Sequence, residues 1–366
     1  MIRVDFSPAI LTVLIGLGLG AVVGAAAFAS NFCALGAVAD IMFAKDWRRM
    51  RAWMMAGGAA LIGTQALESA GLVNLGTSAY LVPRLSWLAL VLGGVMFGFG
   101  MSLAGGCVNR ALVRIGAGSV KSLITVIVIG IFAALTTYGF LKPANVYLTD
   151  FGDMVTLMAP GFDRFLAVFP GINAEAARWV FTAIIGGGML VFCLRDDWFR
   201  ATKDQLFGAL VIGLTVPAAW LAGEILTAYG GLADKTALNF VPPVADLVQS
   251  IAAFGVSGAL LGMFTLLGVP VGSFVYAAAT GNLSVETFTE RADFARHIIG
   301  GALMGTGGTL ALGCTFGQGL SGLSTLSIGS AVVIASIWFG CVWGIRFFET
   351  GSVWKGLRLA LRRSAV

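Results

Sequence analysis

A glycine-rich apolar stretch that ends in Gly-Cys occurs twice, and it constrains the architecture of this chain more than any other feature. Residues 93–107 read GGVMFGFGMSLAGGC, and residues 300–314 read GGALMGTGGTLALGC. At a constant offset of 207 residues the two copies agree at eight positions, including the closing Gly-Cys. Each apolar run then breaks into polar residues and further glycines. Such a repeat predicts that the chain is built from two related units.

The rest of the chain supplies further apolar runs of about 20 residues, the length of a helix that crosses a hydrocarbon core of about 30 Å. Only 11% of the residues are charged and 58% are hydrophobic, whereas a soluble globular chain carries about 25% charged residues. Segments with the alternating polarity of barrel strands are absent from the sequence. The pattern therefore predicts an all-α polytopic membrane protein rather than a β-barrel.

We predict nine transmembrane helices, at about residues 9–30, 52–70, 85–105, 119–140, 178–194, 205–228, 248–268, 296–313 and 327–347. Two further apolar segments, at about 33–44 and 270–280, are too short to cross the bilayer. We expect them to form half helices or re-entrant segments, because little or no hydrophilic sequence separates them from a spanning helix.

We expect the whole chain, residues 1–366, to form a single integral membrane domain. Its first half would cover about 1–140 and its second half about 178–366. The segment 141–177 that links them is mixed in character, which suits an extracytoplasmic loop with a short interfacial helix.

Basic residues set the expected orientation, because lysine and arginine accumulate in cytoplasmic loops. The loop 45–51 holds the strongest basic cluster of the first half and is expected on the cytoplasmic side. The N-terminus then lies outside, and nine crossings bring the C-terminus inside. With this arrangement 17 of the 23 lysines and arginines fall on the inner side. The same bias explains the net charge of +5 without a nucleic-acid partner.

The two copies of the repeat are expected to point in opposite directions. By this count the helix that ends at Cys107 runs inward and the helix that ends at Cys314 runs outward. The two halves would then be pseudo-symmetric and inverted, as in transporters whose broken helices meet near the middle of the bilayer. A weaker match upstream aligns residues 20–24 with residues 258–262.

The breaks after the two Gly-Cys pairs are candidate anion contacts. A helix that stops inside the membrane leaves backbone groups unpaired, which is tolerated only where they are buried in protein or face a polar cavity. The free N–H groups, together with the start of a following helix, would form a small anion site. The alternative is that the glycines serve only close helix packing. We expect support of a bound substrate from Gly106, Asn109, Arg110, Gly313, Thr315 and Gln318.

Three of the five cysteines lie at breaks in the apolar pattern. Cys193 and Cys341 lie within apolar helices and are expected to be inert packing residues. Cys33, Cys107 and Cys314 instead adjoin small or polar residues. A thiol is a weak hydrogen-bond donor and a weak acceptor, so it suits a soft atom such as sulfur better than a strongly hydrated ion.

Other classes of function find little support in the sequence. A single histidine and no Cys/His cluster predict no metal site, and no cofactor motif is present. The scarcity of groups for acid–base chemistry predicts a protein that is not an enzyme. Arg110 and Arg114 fall on one helix face, where they either draw an anion inward or mark the cytoplasmic boundary.

At its cysteine motifs the chain resembles the YeeE/YedE family of bacterial inner-membrane proteins. The resemblance covers most of the chain and rests on three motifs, N31-F-C-A-L-G-A37, L103-A-G-G-C-V-N-R-A-L-V-R114 and G313-C-T-F-G-Q-G-L-S-G-L-S324. It implies uptake of thiosulfate or a related small sulfur oxyanion through the inner membrane. In the family mechanism the substrate sulfur passes along cysteine thiols, which here are Cys33, Cys107 and Cys314.

The resemblance further implies a cytoplasmic sulfur-carrier partner of the TusA type. Two alternatives remain from the sequence. One is a membrane sulfurtransferase that relays persulfide sulfur, which requires a covalent adduct on a cysteine. The other is a membrane anchor for a cytoplasmic sulfur-carrier protein.

Overall fold

The computed structural model describes residues 8–81, 86–151, 161–162, 173–230, 235–255 and 260–363. Within these ranges every regular element is helical, and β-type pairing is limited to two isolated bridges. The all-α class predicted from the sequence is confirmed. The α-helices are α1 Pro8–Ala29, α2 Ala34–Ala39, α3 Arg48–Ser69, α4 Trp87–Leu103, α5 Val108–Gly116, α6 Val120–Thr137, α7 Lys142–Phe151, α8 Ala174–Phe181, α9 Gly188–Leu194, α10 Asp197–Ala201, α11 Lys203–Ala228, α12 Val241–Ala252, α13 Leu260–Ala279, α14 Arg291–Leu310, α15 Ile328–Thr350 and α16 Val353–Arg363.

Three π-helical turns interrupt or extend this series, at Asp40–Ala44, Thr182–Gly187 and Gly317–Gly322. The first continues α2 and the second joins α8 to α9, so that each pair forms one longer helical stretch. The third follows Cys314. A π turn accommodates one extra residue per turn and is frequent at functional sites.

Among the described residues, seven helical stretches are long and apolar enough to cross a membrane. They are Pro8–Ala44, Trp87–Gly116, Val120–Thr137, Glu175–Leu194, Lys203–Ala228, Leu260–Ala279 and Ile328–Thr350. Two of the nine helices expected from the sequence, α3 and α14, have 22 and 20 residues. Both carry several charges in their first two turns, which lowers their hydropathy below that of the other seven.

The boundary expected between residues 268 and 270 is wrong. Instead of a spanning helix at 248–268 and a short segment at 270–280, the short helix is α12 and the long apolar helix is α13. The chain turns after α12, where Phe254 has a φ of 49°, and α13 continues through Pro270. A proline inside a helix removes one backbone hydrogen bond, but here close packing on α1 holds the helix together.

Upstream of the two copies, α1 and α13 pack on each other through glycines. Gly20 of α1 packs on Gly268 of α13, where a Cβ would lie 2.8 Å from the Gly268 Cα. Gly258, at the start of the aligned segment 258–262, lies outside the described residues. Further along both helices, Gly24 packs on the Val269 carbonyl. The contacts advance in the same direction along both helices, so α1 and α13 are parallel.

The two copies of the repeat pack on each other through their glycines. A Cβ on Gly93 would lie 2.6 Å from the Gly307 carbonyl oxygen, and one on Gly100 would lie 2.7 Å from that of Gly300. The contacts are reciprocal, with the same distances when the Cβ is placed on Gly307 or Gly300. Since one number rises as the other falls, α4 and α14 are antiparallel. Only glycine permits so close an approach of two backbones.

Each repeat helix also packs on the long helix that follows the other copy's break. Gly98 of α4 lies on the Ile337 carbonyl of α15, and Gly305 of α14 lies on the Ile129 carbonyl of α6. Contacts of this kind make α4 parallel to α15, α6 parallel to α14, α3 parallel to α11 and α3 antiparallel to α9. Both breaks are thereby fixed against the same four-helix framework.

Candidate functional site

Cys33, Cys107 and Cys314 share one local structure. Each follows a helix that ends in a left-handed residue, at Asn31, Gly105 and Leu312, with φ of 54°, 70° and 56°. The next N–H then donates back to the helix, in the hydrogen bonds Phe32 N to Ala27 O, Gly106 N to Met101 O and Gly313 N to Gly308 O. This is a Schellman ending. The cysteine comes next, and a new helix begins directly after it.

The sequence explains two of the three endings. Glycine at position 105 adopts a positive φ without a steric penalty, and asparagine at position 31 is one of the few other residues that visit this region routinely. Leucine at position 312 does so at a cost. Its conformation is held by the Asn239 side chain, whose Nδ2 donates to the Leu312 carbonyl over 3.2 Å. No local sequence pattern points to Asn239, because it lies in a loop 73 residues from Leu312.

The first break, at Cys107, leaves polar atoms without partners. The thiol is 1% exposed, and so is the neighbouring Asn109, whose Oδ1 and Nδ2 have no hydrogen-bond partner in the described structure. The Thr315 hydroxyl lies beside the Cys107 thiol and likewise has no hydrogen bond of ordinary geometry. A buried polar group without a partner costs about 1–3 kcal/mol. These atoms are therefore poised to bind a ligand or water.

The second break, at Cys314, is closed by hydrogen bonds. Gln318 spans the π turn: its Nε2 donates to the Ala311 carbonyl over 2.6 Å, and its Oε1 accepts from the Ser330 hydroxyl over 2.6 Å. Ser321 donates to the Leu238 carbonyl over 2.9 Å and accepts from the Leu238 N–H over 3.1 Å. Both polar atoms of the Gln318 side chain are thus hydrogen-bonded within the protein.

The two glycines that precede these cysteines are tightly enclosed. A Cβ on Gly106 would lie 3.0 Å from the Arg110 Cγ, and one on Gly313 would lie 3.0 Å from the Asn239 Nδ2. Gly313 also has a φ of 156°, so a side chain there would be strained. Both glycines permit the close approach of a neighbouring side chain to the break.

Cys33 caps the short helix α2. Its Sγ accepts a hydrogen bond from the Gly36 N–H over 3.4 Å, and the residue is 7% exposed. The Arg49 guanidinium packs on Gly36, 2.5 Å from where a Cβ would lie. This thiol therefore lies close to the basic loop that precedes α3.

The three thiols converge. Cys107 lies close enough to Cys33 and to Cys314 to interact electrostatically with each of them, and the Thr315 hydroxyl beside the Cys107 thiol follows Cys314 directly in the chain. The ring of Phe32, which precedes Cys33, and the ring of Phe316, two residues after Cys314, lie 5.7 Å apart between centroids. The structure thus brings together three breaks that are far apart in the chain.

One cation serves this cluster without a carboxylate partner. Arg110 interacts electrostatically with Cys33, Cys107, Arg49 and Arg114, and it forms no ion pair within 4.0 Å with a carboxylate among the described residues. By contrast, two arginines at the start of α3 are paired: Arg49 with Asp40 over 3.3 Å, and Arg48 with Asp46 over 2.7 Å. The hydrogen bond from Arg48 lowers the pKa of Asp46 below its ordinary value. The positive charge of Arg110 remains available for an anion.

A polar cavity of about 460 Å³ leads to the second break. It lies at the C-terminal ends of α6 and α14 and the N-terminal ends of α4 and α15. Most of its polar groups are hydroxyls and amides, and among the described residues none of the lining groups is basic. Lining residues include Ser86, Thr137, Asn145, Thr149, Asp150, Thr309, Gln318, Ser327 and Ser330.

The remaining two cysteines lie inside helices rather than at breaks, although Cys341 is near enough to Cys33 and Cys107 to interact electrostatically with both. The Cys193 thiol donates to the Arg51 carbonyl over 3.1 Å, and Cys341 lies 3.8 Å from the Ser102 hydroxyl. Both are fully buried. Among the residues that the structure describes, no three His, Cys, Asp or Glu side chains lie close enough together to hold a metal ion.

A polytopic helical protein with buried thiols at helix breaks has the features of a membrane transporter. The chain belongs to the Sulphur transport family, whose model matches residues 29–343. This confirms the resemblance to YeeE/YedE proteins.

Two relatives match the chain over nearly its full length. Thiosulfate transporter TsuA of Escherichia coli strain K12 is 27% identical over 340 residues, 89% of this chain and 93% of the relative. Thiosulfate transporter TsuA of Spirochaeta thermophila is 24% identical over 338 residues, 88% of this chain and 94% of the relative. Both relatives are named as transporters, in agreement with the expectation of a protein that is not an enzyme.

Proposed function

We propose that the protein carries a small sulfur oxyanion, most specifically thiosulfate, into the cytoplasm. The observation that carries this proposal is the convergence of three buried thiols, each between two helices, with unpaired polar atoms on Asn109 and Thr315 beside them. A soft sulfur end would contact the thiols, and the oxygens would accept hydrogen bonds from the polar atoms. The names of the two relatives support thiosulfate as the substrate.

The substrate would enter through the polar cavity beside Gln318 and pass Cys314, Cys107 and Cys33 in that order. Each thiol can donate one weak hydrogen bond to the substrate sulfur and then release it. No bond to sulfur needs to form or break along such a path. Gln318 lines the entrance and supports the π turn. Gly106 and Gly313 would keep the path narrow, because they let the Arg110 and Asn239 side chains approach the backbone closely.

Arg110 would attract the anion inward. It interacts electrostatically with Cys33 and Cys107, and Arg49 lies beyond Cys33 on the surface of α2. The entrance cavity is lined by the Asp150 carboxylate and by no basic group among the described residues. The positive potential would therefore rise toward the cytoplasmic end of the path. Uptake down a concentration gradient of the substrate would not need coupling to a driving ion.

We propose that α3 and α14 also cross the membrane, which gives nine crossings with the N-terminus outside and the C-terminus in the cytoplasm. In this arrangement α1, α4, α13 and α15 run inward, and α3, α6, α11 and α14 run outward. All the parallel and antiparallel contacts between these helices agree with it. It also makes the two repeat copies inverted, with the single membrane domain extending over residues 1–366.

The bacterial inner membrane is the location that the family resemblance supports. The resemblance is also the sole support for a cytoplasmic sulfur carrier of the TusA type as the acceptor of the product. The basic inner loops agree with this location, because cytoplasmic loops are enriched in lysine and arginine.

Uptake of labelled thiosulfate by liposomes that contain only this purified chain tests the proposal. We expect saturable uptake above that of empty liposomes, with competition by selenite and sulfite weaker than by unlabelled thiosulfate. Uptake by the chain alone would exclude a purely anchoring role. Absence of uptake would contradict the proposal.

The same preparation separates transport from a persulfide relay. Mass spectrometry of the thiosulfate-treated protein should show no added sulfur on Cys33, Cys107 or Cys314. A mass increase of one sulfur on any of them would favour the sulfurtransferase alternative, because a relay requires a covalent adduct.

A further inference from the structure

A second cavity, of about 150 Å³, adjoins two of the three cysteines on the side of α3. Ala34, which follows Cys33, and Thr315, which follows Cys314, both line it, and Trp53 lies among them. One water occupies about 30 Å³ of the liquid, so the cavity has room for a small polyatomic anion. It lies outside the polar entrance described above.

Two residues that line this cavity carry buried polar atoms. Trp53 is 9% exposed and Thr315 is 1% exposed. The indole Nε1 has no hydrogen-bond partner in the described structure, and the Thr315 hydroxyl has only the Cys107 thiol beside it. An indole N–H is a donor only, so it requires an acceptor. The lining residues carry neither an acidic nor a basic side chain, so hydrogen bonds alone would stabilise an anion there.

The position of the indole is fixed by neighbouring rings. The Trp53 ring centroid lies 4.5 Å from that of Phe32 and 5.5 Å from that of Phe316. Phe32 directly precedes Cys33, and Phe316 lies two residues after Cys314. The indole is thereby held against both breaks, and a donor in a fixed position suits selective binding of a small ligand.

We propose that Trp53 binds the oxygen end of the substrate, with its indole N–H as a hydrogen-bond donor and the Thr315 hydroxyl as a second one. This inference rests on the proposed function and adds a specificity-determining residue to it. The thiols recognise the sulfur end of the anion, and Trp53 recognises an oxyanion oxygen. Three methionines also line the cavity, and their polarizable thioether sulfurs would surround the rest of the anion. They are Met50, Met54 and Met189.

The test compares thiosulfate uptake by Trp53→Phe protein with that of the natural chain in liposomes. The substitution keeps an aromatic ring and removes the N–H. We expect the KM to rise about tenfold, as for the loss of a hydrogen bond to a charged group, while the maximal rate per folded protein stays within about threefold. Trp338→Phe is the matched control, because that indole lines the same cavity but has no buried unpaired nitrogen.

An unchanged KM in Trp53→Phe would overturn the inference while leaving the proposed function intact. Absence of uptake by the natural chain would instead overturn the proposed function. If Trp53→Phe protein does not fold, benzothienylalanine at position 53 keeps the bicyclic ring and removes only the N–H. A tenfold rise in KM with that residue would support the inference, and an unchanged KM would overturn it.

Discussion

The two breaks that follow the repeat have the same framework but different interiors. After Cys107 the chain forms a regular helix, and Asn109 presents an amide without a partner. After Cys314 it forms a π turn whose polar side chains bond other parts of the protein, as Gln318 does with Ser330 of α15. The second break contains one more residue than the first before the capping serine, Ser327 rather than Ser119. The π turn accommodates that residue.

We expect the two breaks to have different roles. The hydrogen bonds of Gln318 and Ser321 hold the second break rigid from within the protein, and of its polar side chains only Thr315 faces the first break, beside Cys107. The first leaves its hydrogen-bonding capacity for a ligand and has Arg110 nearby. Burying a polar group costs free energy unless it is paired, so an unpaired buried group is tolerated where a ligand or water supplies the missing partner.

The largest expected effect tests what the two breaks share. Cys107→Ala and Cys314→Ala should each reduce thiosulfate uptake to that of empty liposomes, because each removes one soft contact from a single path. Cys193→Ala, which removes a thiol bonded only to a backbone carbonyl, is the control and should transport normally. Normal uptake by either of the first two variants would show that its break is not part of the path.

A second pair of substitutions separates the rigid break from the ligand-facing one. Asn239→Ala removes the side chain that holds Leu312 and should lower the free energy of unfolding by about 1–3 kcal/mol. Asn109→Ala removes an amide without a partner, so it should not lower stability, although it should weaken uptake. Denaturant unfolding in detergent and liposome uptake measure the two effects. Equal destabilisation by both substitutions would contradict the distinction.

Arg110 should matter for its charge rather than for packing. Arg110→Gln should raise the KM for thiosulfate about tenfold, which corresponds to about 1.4 kcal/mol of binding free energy, and Arg110→Lys should restore most of the loss. The effect of Arg110→Gln should shrink at high ionic strength if the residue acts on the approaching anion. The same KM for all three proteins would exclude this role.

The smallest expected effects concern the left-handed residues that precede the cysteines. Gly105→Ala should lower the free energy of unfolding by about 1 kcal/mol, because a side chain in this conformation is strained. Leu312→Gly should raise it by up to about 1 kcal/mol, since the leucine is half exposed and glycine relieves the strain. Denaturant unfolding of both variants provides the measurement. A stabilising Gly105→Ala would show that the two breaks do not share the same helix ending.

Much of the fold and part of the site follow from short-range properties of the sequence. The glycine repeat predicted the breaks at Cys107 and Cys314, and the polar residues beside Cys33 predicted the third. The helix boundary near Pro270 was wrong because local proline rules cannot include the packing of α13 on α1. Asn239 and Trp53 were missed because their roles depend on contacts with residues distant in the chain.

The sequence by itself determined that this chain is an all-helical membrane protein with three cysteines at breaks, because apolar length and helix-ending residues act locally. Only the tertiary structure decided that the three breaks meet, that Gln318 is held within the protein, and that Asn109 and Thr315 are not. Those outcomes depend on how closely α4 approaches α14 and on which polar atoms that approach leaves unpaired. A glycine in the sequence permits a close approach, but the partner helix determines what lies across the contact.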